Sequence, residues 1–518
     1  MKESDRKMVM RWIVLAVYLV LMILIGVYYR RKTASVTDFV LGGRQLGPWF
    51  TAFAYGTSYF SAVIFVGYAG KFGWAYGIAS TWVGIGNAVI GSLLAWLMLG
   101  KRTRIMTKYL EAKTMPEFFE KRYNSKGLKT ASALIIFVFL IPYTASVYNG
   151  LSRLFEKSFH IPYEYAIVGM AVFTAIYVVM GGYKATALND FIQGIIMLVG
   201  IVAVVVAVLD LNGGLADSID LMSQIPDKEG NTGSYSSIFG PDPVNLIGVV
   251  ILTSLGTWGL PQMVQKFYAI KDDRSVKTGT IVSTVFAVVV AGGCYFLGGF
   301  GRLFANNVNG QPEEGFDSIV PIMMEKLPNA LFGLVIVLVL SASMSTLSSL
   351  VLTSSSTLTI DLIKPMMKGK MDEKKELLIM RIFIAVFLLI SVVIAVITLE
   401  NPQTVISSLM GISWGALAGA FLAPFMYGLF WKGVTKAAVA VNFVVGVGIT
   451  VVHMFIYTIG GREPDMIGEL NLASPVNAGA FSMLIGLVIV PLVSLITKQG
   501  EKEKEEVEEI FGCYDVGK

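Results

Sequence analysis

Residues 341–359 read SASMSTLSSLVLTSSSTLT, and 12 of these 19 positions are Ser or Thr. The stretch closes an apolar run that begins near Ala330, in a chain made mostly of apolar segments. Hydrocarbon offers a hydroxyl no hydrogen-bond partner, so this density on one membrane helix implies a polar cavity or an ion site. The pattern points to transport across a bilayer.

The composition fits. The chain has 518 residues, 55% hydrophobic and only 15% charged, with a mean hydropathy of +0.68. Soluble domains carry roughly 25% charged residues, so this is an integral membrane protein. Its 53 glycines suit closely packed helices and bends at membrane depth. Cys294 and Cys513 are too few and too far apart for a disulfide framework or zinc site. His160 and His453 are the two histidines, which argues against a His-based catalytic or metal cluster. The first apolar run, Trp12 to Tyr29, lacks a small-residue cleavage site and reads as a retained helix.

A span needs about 20 mainly apolar residues. Thirteen segments qualify: 12–29, 48–68, 76–99, 130–152, 163–180, 188–210, 244–266, 279–304, 330–360, 379–399, 404–430, 436–459 and 477–497. Lys and Arg set the orientation. The 100–129 loop holds nine (Lys101, Arg102, Arg104, Lys108, Lys113, Lys121, Arg122, Lys126 and Lys129), and the 30–44, 266–277 and 361–376 loops are also basic. All are cytoplasmic if the N-terminus is outside. The 210–243 loop then lies outside, with Asp210, Asp217, Asp220, Asp227, Glu229 and Asp242 against Lys228 alone. Lys2, Arg6, Lys7 and Arg11 oppose this assignment and are outweighed by the later loops.

Two segments are interrupted. The second, PWFTAFAYGTSYFSAVIFVG, has Gly56-Thr57-Ser58 midway; the seventh, LTSLGTWGLPQMVQ, has Gly256, Gly259 and Pro261. Each opens a block of five segments. Broken helices at matching places in two halves mark an inverted-repeat transporter with its site at the midplane. Gly and Pro are also common in membrane helices without any such role.

On the ninth segment Ala342, Ser345 and Thr346 share a face at i, i+3, i+4, and Ser345, Ser348 and Ser349 repeat the spacing. Sodium, a hard cation, requires several oxygen ligands. The Ala342 carbonyl, two hydroxyls and carbonyls freed near Thr57 and Phe60 could supply them. Close helix packing is the other use of such residues. Asp190 enters the sixth segment in GGYKATALNDFIQG; from composition alone Asn189 or Asp190 is read as a helix cap, although an acidic residue leading an apolar run is also a functional suspect.

Five motifs in order, LGGRQLGPWFTA, YNGLSRLFEKSFHIPYEYA, GGYKATALNDFIQGIIMLVG, GLPQMVQKFYAIKD and SASMSTLSSLVLTSSSTLTIDLIK, resemble the sodium:solute symporter family from about Asp38 to Lys432. The resemblance implies an all-α membrane fold with a LeuT-like 5+5 inverted repeat. It also implies a first sodium site at Thr57, Phe60, Ala342, Ser345 and Thr346. A second site, present in some members, maps to Asp190, Ser345, Ser348 and Ser349, which lifts Asp190 above a cap. Proline carriers of the family have Asp where this chain has Tyr59, and a Tyr near Thr257, so proline is disfavoured. Sialic acid carriers use an Arg on the fourth segment, and none falls between Thr130 and Ser152. The LND at 188–190 and GLP at 259–261 look most like pantothenate carriers.

No charged residue falls in 45–70, 72–100, 130–152, 244–265 or 402–431, the segments expected to line the solute pocket. Tyr59, Ser61, Trp82, Asn87, Tyr143, Thr257, Gln262 and Trp414 are the candidate solute-binding residues. A cation would lack a counter-charge there, whereas helix N-termini and hydroxyls can hold a carboxylate. The expected function is sodium-coupled import of a small organic carboxylate such as pantothenate, with a neutral amino acid, sugar or sialic acid as alternatives. A transporter-like sensor is the competing class, but the tail from Lys498 is too short for a signalling domain. An intramembrane enzyme would need a nucleophile–base or metal constellation that this sequence lacks. The expected organisation is a peripheral helix in 1–36 and a core in 37–432, with repeats at about 45–210 and 244–432. Two peripheral helices in 433–497 and a charged cytoplasmic tail in 498–518 follow. Its partners are the bilayer of the plasma membrane, sodium and the solute, with no nucleic acid and no obligate protein partner.

Overall fold

Apolar runs form the helices of this protein, and glycines and prolines divide them. A computed structural model describes residues 3–30, 35–159, 161–367, 371–399 and 406–515. Lys2, Arg31, Lys32, His160, residues 404–405 of the eleventh expected span and residues 516–518 of the tail lie outside the described residues. Leaving aside pieces of one or two turns, the helical stretches are α1 (Glu3–Arg30), α2 (Pro48–Tyr59), α3 (Val63–Tyr109), α4 (Lys126–Phe159) and α5 (Tyr163–Asp210). Then come α6 (Pro243–Gly259), α7 (Pro261–Tyr268), α8 (Asp273–Leu303), α9 (Asn329–Thr357) and α10 (Glu373–Leu399). The chain ends with α11 (Ile406–Phe430), α12 (Lys436–His453), α13 (Pro475–Ile496) and α14 (Glu501–Gly512). Strand is confined, among the described residues, to two hairpins of two-residue strands.

Ten described stretches are long and apolar enough to cross a membrane, or eleven with α6 and α7 taken as one bent span. Two of them, α3 with 47 residues and α5 with 48, are far too long for a single crossing of a core about 30 Å thick. Each leaves helical geometry at one glycine: Gly77 (φ 60°, ψ −140°) and Gly182 (φ 56°, ψ −157°). Dividing both there yields the thirteen crossings expected. The turn at Gly182 is tighter than the sequence suggests, since helix resumes at Tyr183 with no intervening loop. Asn189 and Asp190 therefore stand two turns inside the helix, and neither caps it.

The core is built around α9 and α11, whose membrane windows are 78% and 94% buried against 28% for α1. Helices α12 and α13 pack on each other and on α11, and α1 packs on α5. A parallel bridge joins Leu46, just before α2, to Ile270, just after α7. The start of one broken helix thus meets the end of the other, so the two run in opposite directions, as an inverted repeat requires.

The loops sort onto two faces. On one, the Arg44 guanidinium donates to the carbonyls of Tyr268 (2.9 Å) and Thr107 (3.2 Å), and Arg122 donates to Gly428 (2.9 Å) and Trp431 (3.1 Å). Lys129 lies 3.6 Å from Asp361, so the basic loops and the 361–376 segment meet on this face. On the other, Asn245 donates to the Glu469 carbonyl (2.8 Å) and Arg302 to Trp74 (2.8 Å). Arg302 stacks 3.9 Å from the Tyr235 ring, so the acidic 211–243 segment is an ordered cover rather than a loose loop. Arg11 reaches Asn329 on this face, opposite the basic one.

Candidate functional site

The site begins where helices stop. After α2 the chain turns extended at Phe60 (φ −93°, ψ 119°), two residues beyond the Gly56–Ser58 interruption expected from sequence. Gly56 is helical and serves packing: a Cβ there would lie 2.6 Å from the Phe286 ring. The break frees carbonyls. Amide N–H groups that would have continued the helix turn elsewhere: Val63 donates to Ser61 Oγ (3.2 Å), and Ile64 and Phe65 to the Ser61 carbonyl (both 3.0 Å). Ser61 thus caps the next helix. The seventh segment breaks in the same way at Leu260 (φ −74°, ψ 122°), between Gly259 and Pro261, with a 44° bend.

The freed carbonyls face the hydroxyls of α9. Ser345 Oγ lies 3.1 Å from both the Thr57 and Ala342 carbonyls. Thr346 Oγ1 lies 3.1 Å from the Ala342 carbonyl, 3.3 Å from that of Phe60 and 3.4 Å from that of Ser58. All five residues expected at the first sodium site are brought together and buried. Every atom in the cluster that faces inward is a neutral oxygen, the donor set a hard monovalent cation selects. Ser58 was missed in sequence. Its carbonyl joins the cluster, and its hydroxyl lies 2.6 Å from Ser349 Oγ.

Ser349 leads to the second group. Lys266 Nζ donates to Ser349 Oγ at 2.9 Å and lies 4.0 Å from Asp190 Oδ2. Both charged side chains are almost wholly buried, at 3% and 1% exposure. The ammonium also sits 4.8 Å from the centre of the Tyr183 ring, within cation–π range. Neither carboxylate oxygen of Asp190 accepts a hydrogen bond among the described residues. Ser348 Oγ donates to the Ser345 carbonyl (2.9 Å), back toward the first cluster. Asp190 and Ser349 are therefore close, but an ammonium lies against both. By sequence Lys266 ends the 244–266 span and opens the basic 266–277 loop. It belongs instead to the last turns of α7, because Pro261 starts a new helix that runs to Tyr268. That proline was the available signal.

Of the solute candidates, Tyr59, Tyr143 and Trp414 form one aromatic group, with ring centres 6.0 and 5.8 Å apart. The Tyr59 and Tyr143 hydroxyls, Trp414 Nε1, Asn87 Nδ2 and both amide atoms of Gln262 are buried without a hydrogen-bond partner among the described residues. Buried polar groups are rarely left so. Thr257 is satisfied, donating to the Gly91 (3.0 Å) and Ser254 (2.9 Å) carbonyls. Trp82 does not join the group: it is 42% exposed and donates to the Ile238 carbonyl of the cover segment (2.9 Å). The cavity lined by Tyr55, Tyr59, Asn87 and Phe286 is only about 10 Å³, room for about one water.

Comparison with known proteins gives the family and the fold. A model of the sodium:solute symporter family matches residues 39–446. A curated relative from Staphylococcus aureus, the sodium/proline symporter, is 30% identical over 459 residues, covering 85% of each chain. Among solved structures, a substrate-bound, outward-open sodium-coupled sialic acid symporter superposes with a TM-score of 0.74 at 18% identity, over 94% of this chain and 97% of its own. A nucleobase-cation-symport-1 family transporter in a closed conformation superposes with a TM-score of 0.50 at 13% identity, over 91% and 98%.

Proposed function

Because this chain belongs to the sodium:solute symporter family, we propose that it couples sodium at the Thr57–Phe60–Ala342–Ser345–Thr346 cluster to import of a small organic carboxylate. Sodium is the coupling ion of the family, and the chain is a multi-pass membrane protein. The observation that carries the ion assignment is the convergence of three freed carbonyls of the broken helix on two hydroxyls of α9. The two broken helices belong to a core at 37–432, and α12 and α13 lie at its edge.

The carboxylate reading rests on the unpartnered groups. Trp414 Nε1, Asn87 Nδ2 and Gln262 Nε2 can only donate and both tyrosine hydroxyls can, against one atom that only accepts, Gln262 Oε1. No carboxylate stands among them, so a solute with several acceptors and no ammonium is the better match. Pantothenate or another monocarboxylate has that chemistry. Proline, the solute in the relative's name, brings an ammonium that would face Tyr59 rather than an acidic side chain.

The test is initial uptake into proteoliposomes, with and without an inward sodium gradient. Labelled pantothenate, short monocarboxylates, proline, a sugar and a sialic acid make up the panel. The proposal expects sodium-dependent uptake of a carboxylate that is lost in Ser345→Ala. Sodium-driven uptake of proline or a sugar alone would overturn the solute assignment and leave the ion cluster standing. Uptake of every solute at equal rates with choline in place of sodium would overturn the ion cluster.

A further inference from the structure

We propose that Lys266 is a built-in cation that takes the place of a second sodium, so that this symporter binds one sodium ion per cycle. The inference rests on the sodium cluster proposed above and concerns its neighbour. The family resemblance maps a second cation site to Asp190, Ser345, Ser348 and Ser349, one carboxylate and three hydroxyls, and all four residues are buried. Such a site needs a positive charge beside Asp190, whose two oxygens receive no hydrogen bond among the described residues. Lys266 supplies that charge. Its ammonium sits against Ser349 at 2.9 Å and Asp190 at 4.0 Å, with the Tyr183 ring behind it.

Charge opposes a further ion. A sodium bound to the Asp190 carboxylate would stand a few ångströms from a fixed ammonium, in a buried setting where like charges repel strongly. The ammonium already engages the Ser349 hydroxyl that the ion would require. Being covalently tethered to α7, it neutralises Asp190 without being transported. A chain of contacts also links it to the first cluster: Lys266 to Ser349 (2.9 Å), Ser349 to the Ser58 hydroxyl (2.6 Å), and the Ser58 carbonyl to Thr346 (3.4 Å). Ser58 on α2 and Lys266 on α7 belong to the two opposed broken helices, so the lysine fixes their relative position when sodium is bound.

The experiment counts sodium on the purified full-length protein by equilibrium binding of radioactive sodium at saturation, with choline replacing the remaining salt. Wild type should bind one sodium per chain, and Ser345→Ala should need about 10- to 100-fold more sodium to reach that count. Lys266→Ala opens the carboxylate and hydroxyls and should bind two, falling back to one when Asp190→Asn is added. Lys266→Gln serves as a second variant should the alanine form fail to fold. A count of two in wild type overturns the proposal while leaving the first cluster intact. A count of one in a folded Lys266 variant also overturns it, since removing the lysine would then have opened no site. A count of zero in wild type overturns the sodium cluster itself, and the proposal with it.

Discussion

At the scale of single residues, the site divides into groups whose hydrogen bonds are complete and groups whose bonds await a ligand. Ser345 and Thr346 touch the carbonyls of Thr57, Ala342, Ser58 and Phe60. Losing one hydroxyl ligand to a charged species costs about 1.5–3 kcal/mol. Ser345→Ala and Thr346→Ala should therefore each weaken sodium affinity about 10- to 100-fold, measured as the sodium concentration that gives half-maximal thermal stabilisation. Unchanged affinity in both would remove the cluster from consideration. Gln262 and Tyr59 have buried polar atoms without partners, whereas Trp82 lies on the rim and bonds the cover segment. Gln262→Leu and Tyr59→Phe should raise the KM for the solute at least several-fold and leave sodium stabilisation intact. Trp82→Phe should leave KM within about twofold, because an exposed hydrogen bond contributes about 1 kcal/mol or less. A large KM effect at Trp82 would place the solute nearer the rim. Every one of these side chains could be named from the sequence. Lys266 and Ser58 could not, because nothing along the chain shows that they meet across two broken helices.

At the scale of elements, glycines decide where helices end and how closely they approach. Gly182 has a backbone open to glycine, and a Cβ would lie 2.7 Å from the Phe39 ring and 3.0 Å from its carbonyl oxygen. Gly169, on the same stretch, has nothing within 4 Å. Gly182→Ala should destabilise by about 1–3 kcal/mol or more from backbone strain alone, with the steric conflict added, and Gly169→Ala should be neutral or mildly stabilising. Melting followed by fluorescence-detected size exclusion separates the two; equal melting points would mean that the turn is not fixed as described. Both helix breaks were legible in the sequence, from Gly and Pro midway through apolar runs. Gly259 and Pro261 also marked the position of the second break, at Leu260, but nothing marked the first, at Phe60. Phe60 becomes extended because Ser61 caps the following helix, a choice between competing caps that local composition does not settle.

At the scale of the whole molecule, the faces carry the orientation. The basic 100–129 loop and the acidic 211–243 segment stand on opposite faces, the first held by Arg44 on the Thr107 carbonyl and Arg122 on that of Gly428, the second by Trp82 on the Ile238 carbonyl and Arg302 on the Tyr235 ring. The positive-inside rule predicts that the basic face is cytoplasmic. A cysteine placed at Lys126 should react with a membrane-impermeant maleimide only after permeabilisation, and one at Asp220 in intact cells. Background will be low: Cys294 is buried within α8, and burial pushes the Cys513 thiol up to about 11, leaving little thiolate. The reverse pattern would invert the topology. Charge counting also bears on energetics. One sodium with a monovalent anion moves no net charge, so the roughly 2.3 kcal/mol per charge available from 100 mV would not drive uptake of a monocarboxylate. A potassium diffusion potential should therefore leave its initial rate unchanged. Acceleration by an inside-negative potential would point to a second sodium.

The sequence by itself determined that this chain spans a membrane many times, breaks two helices in matching halves and places hydroxyls of α9 where a hard cation can bind. These follow from hydropathy, from backbone groups that lipid cannot satisfy and from the 3.6-residue period, all local properties. Tertiary structure alone decided that Trp82 faces outward, that Asp190 is no cap and that Lys266 stands beside it instead of in a loop. Those outcomes depend on which helices meet, and a charge one residue past the end of an apolar run gains its meaning only from the buried carboxylate that another helix brings to within 4.0 Å.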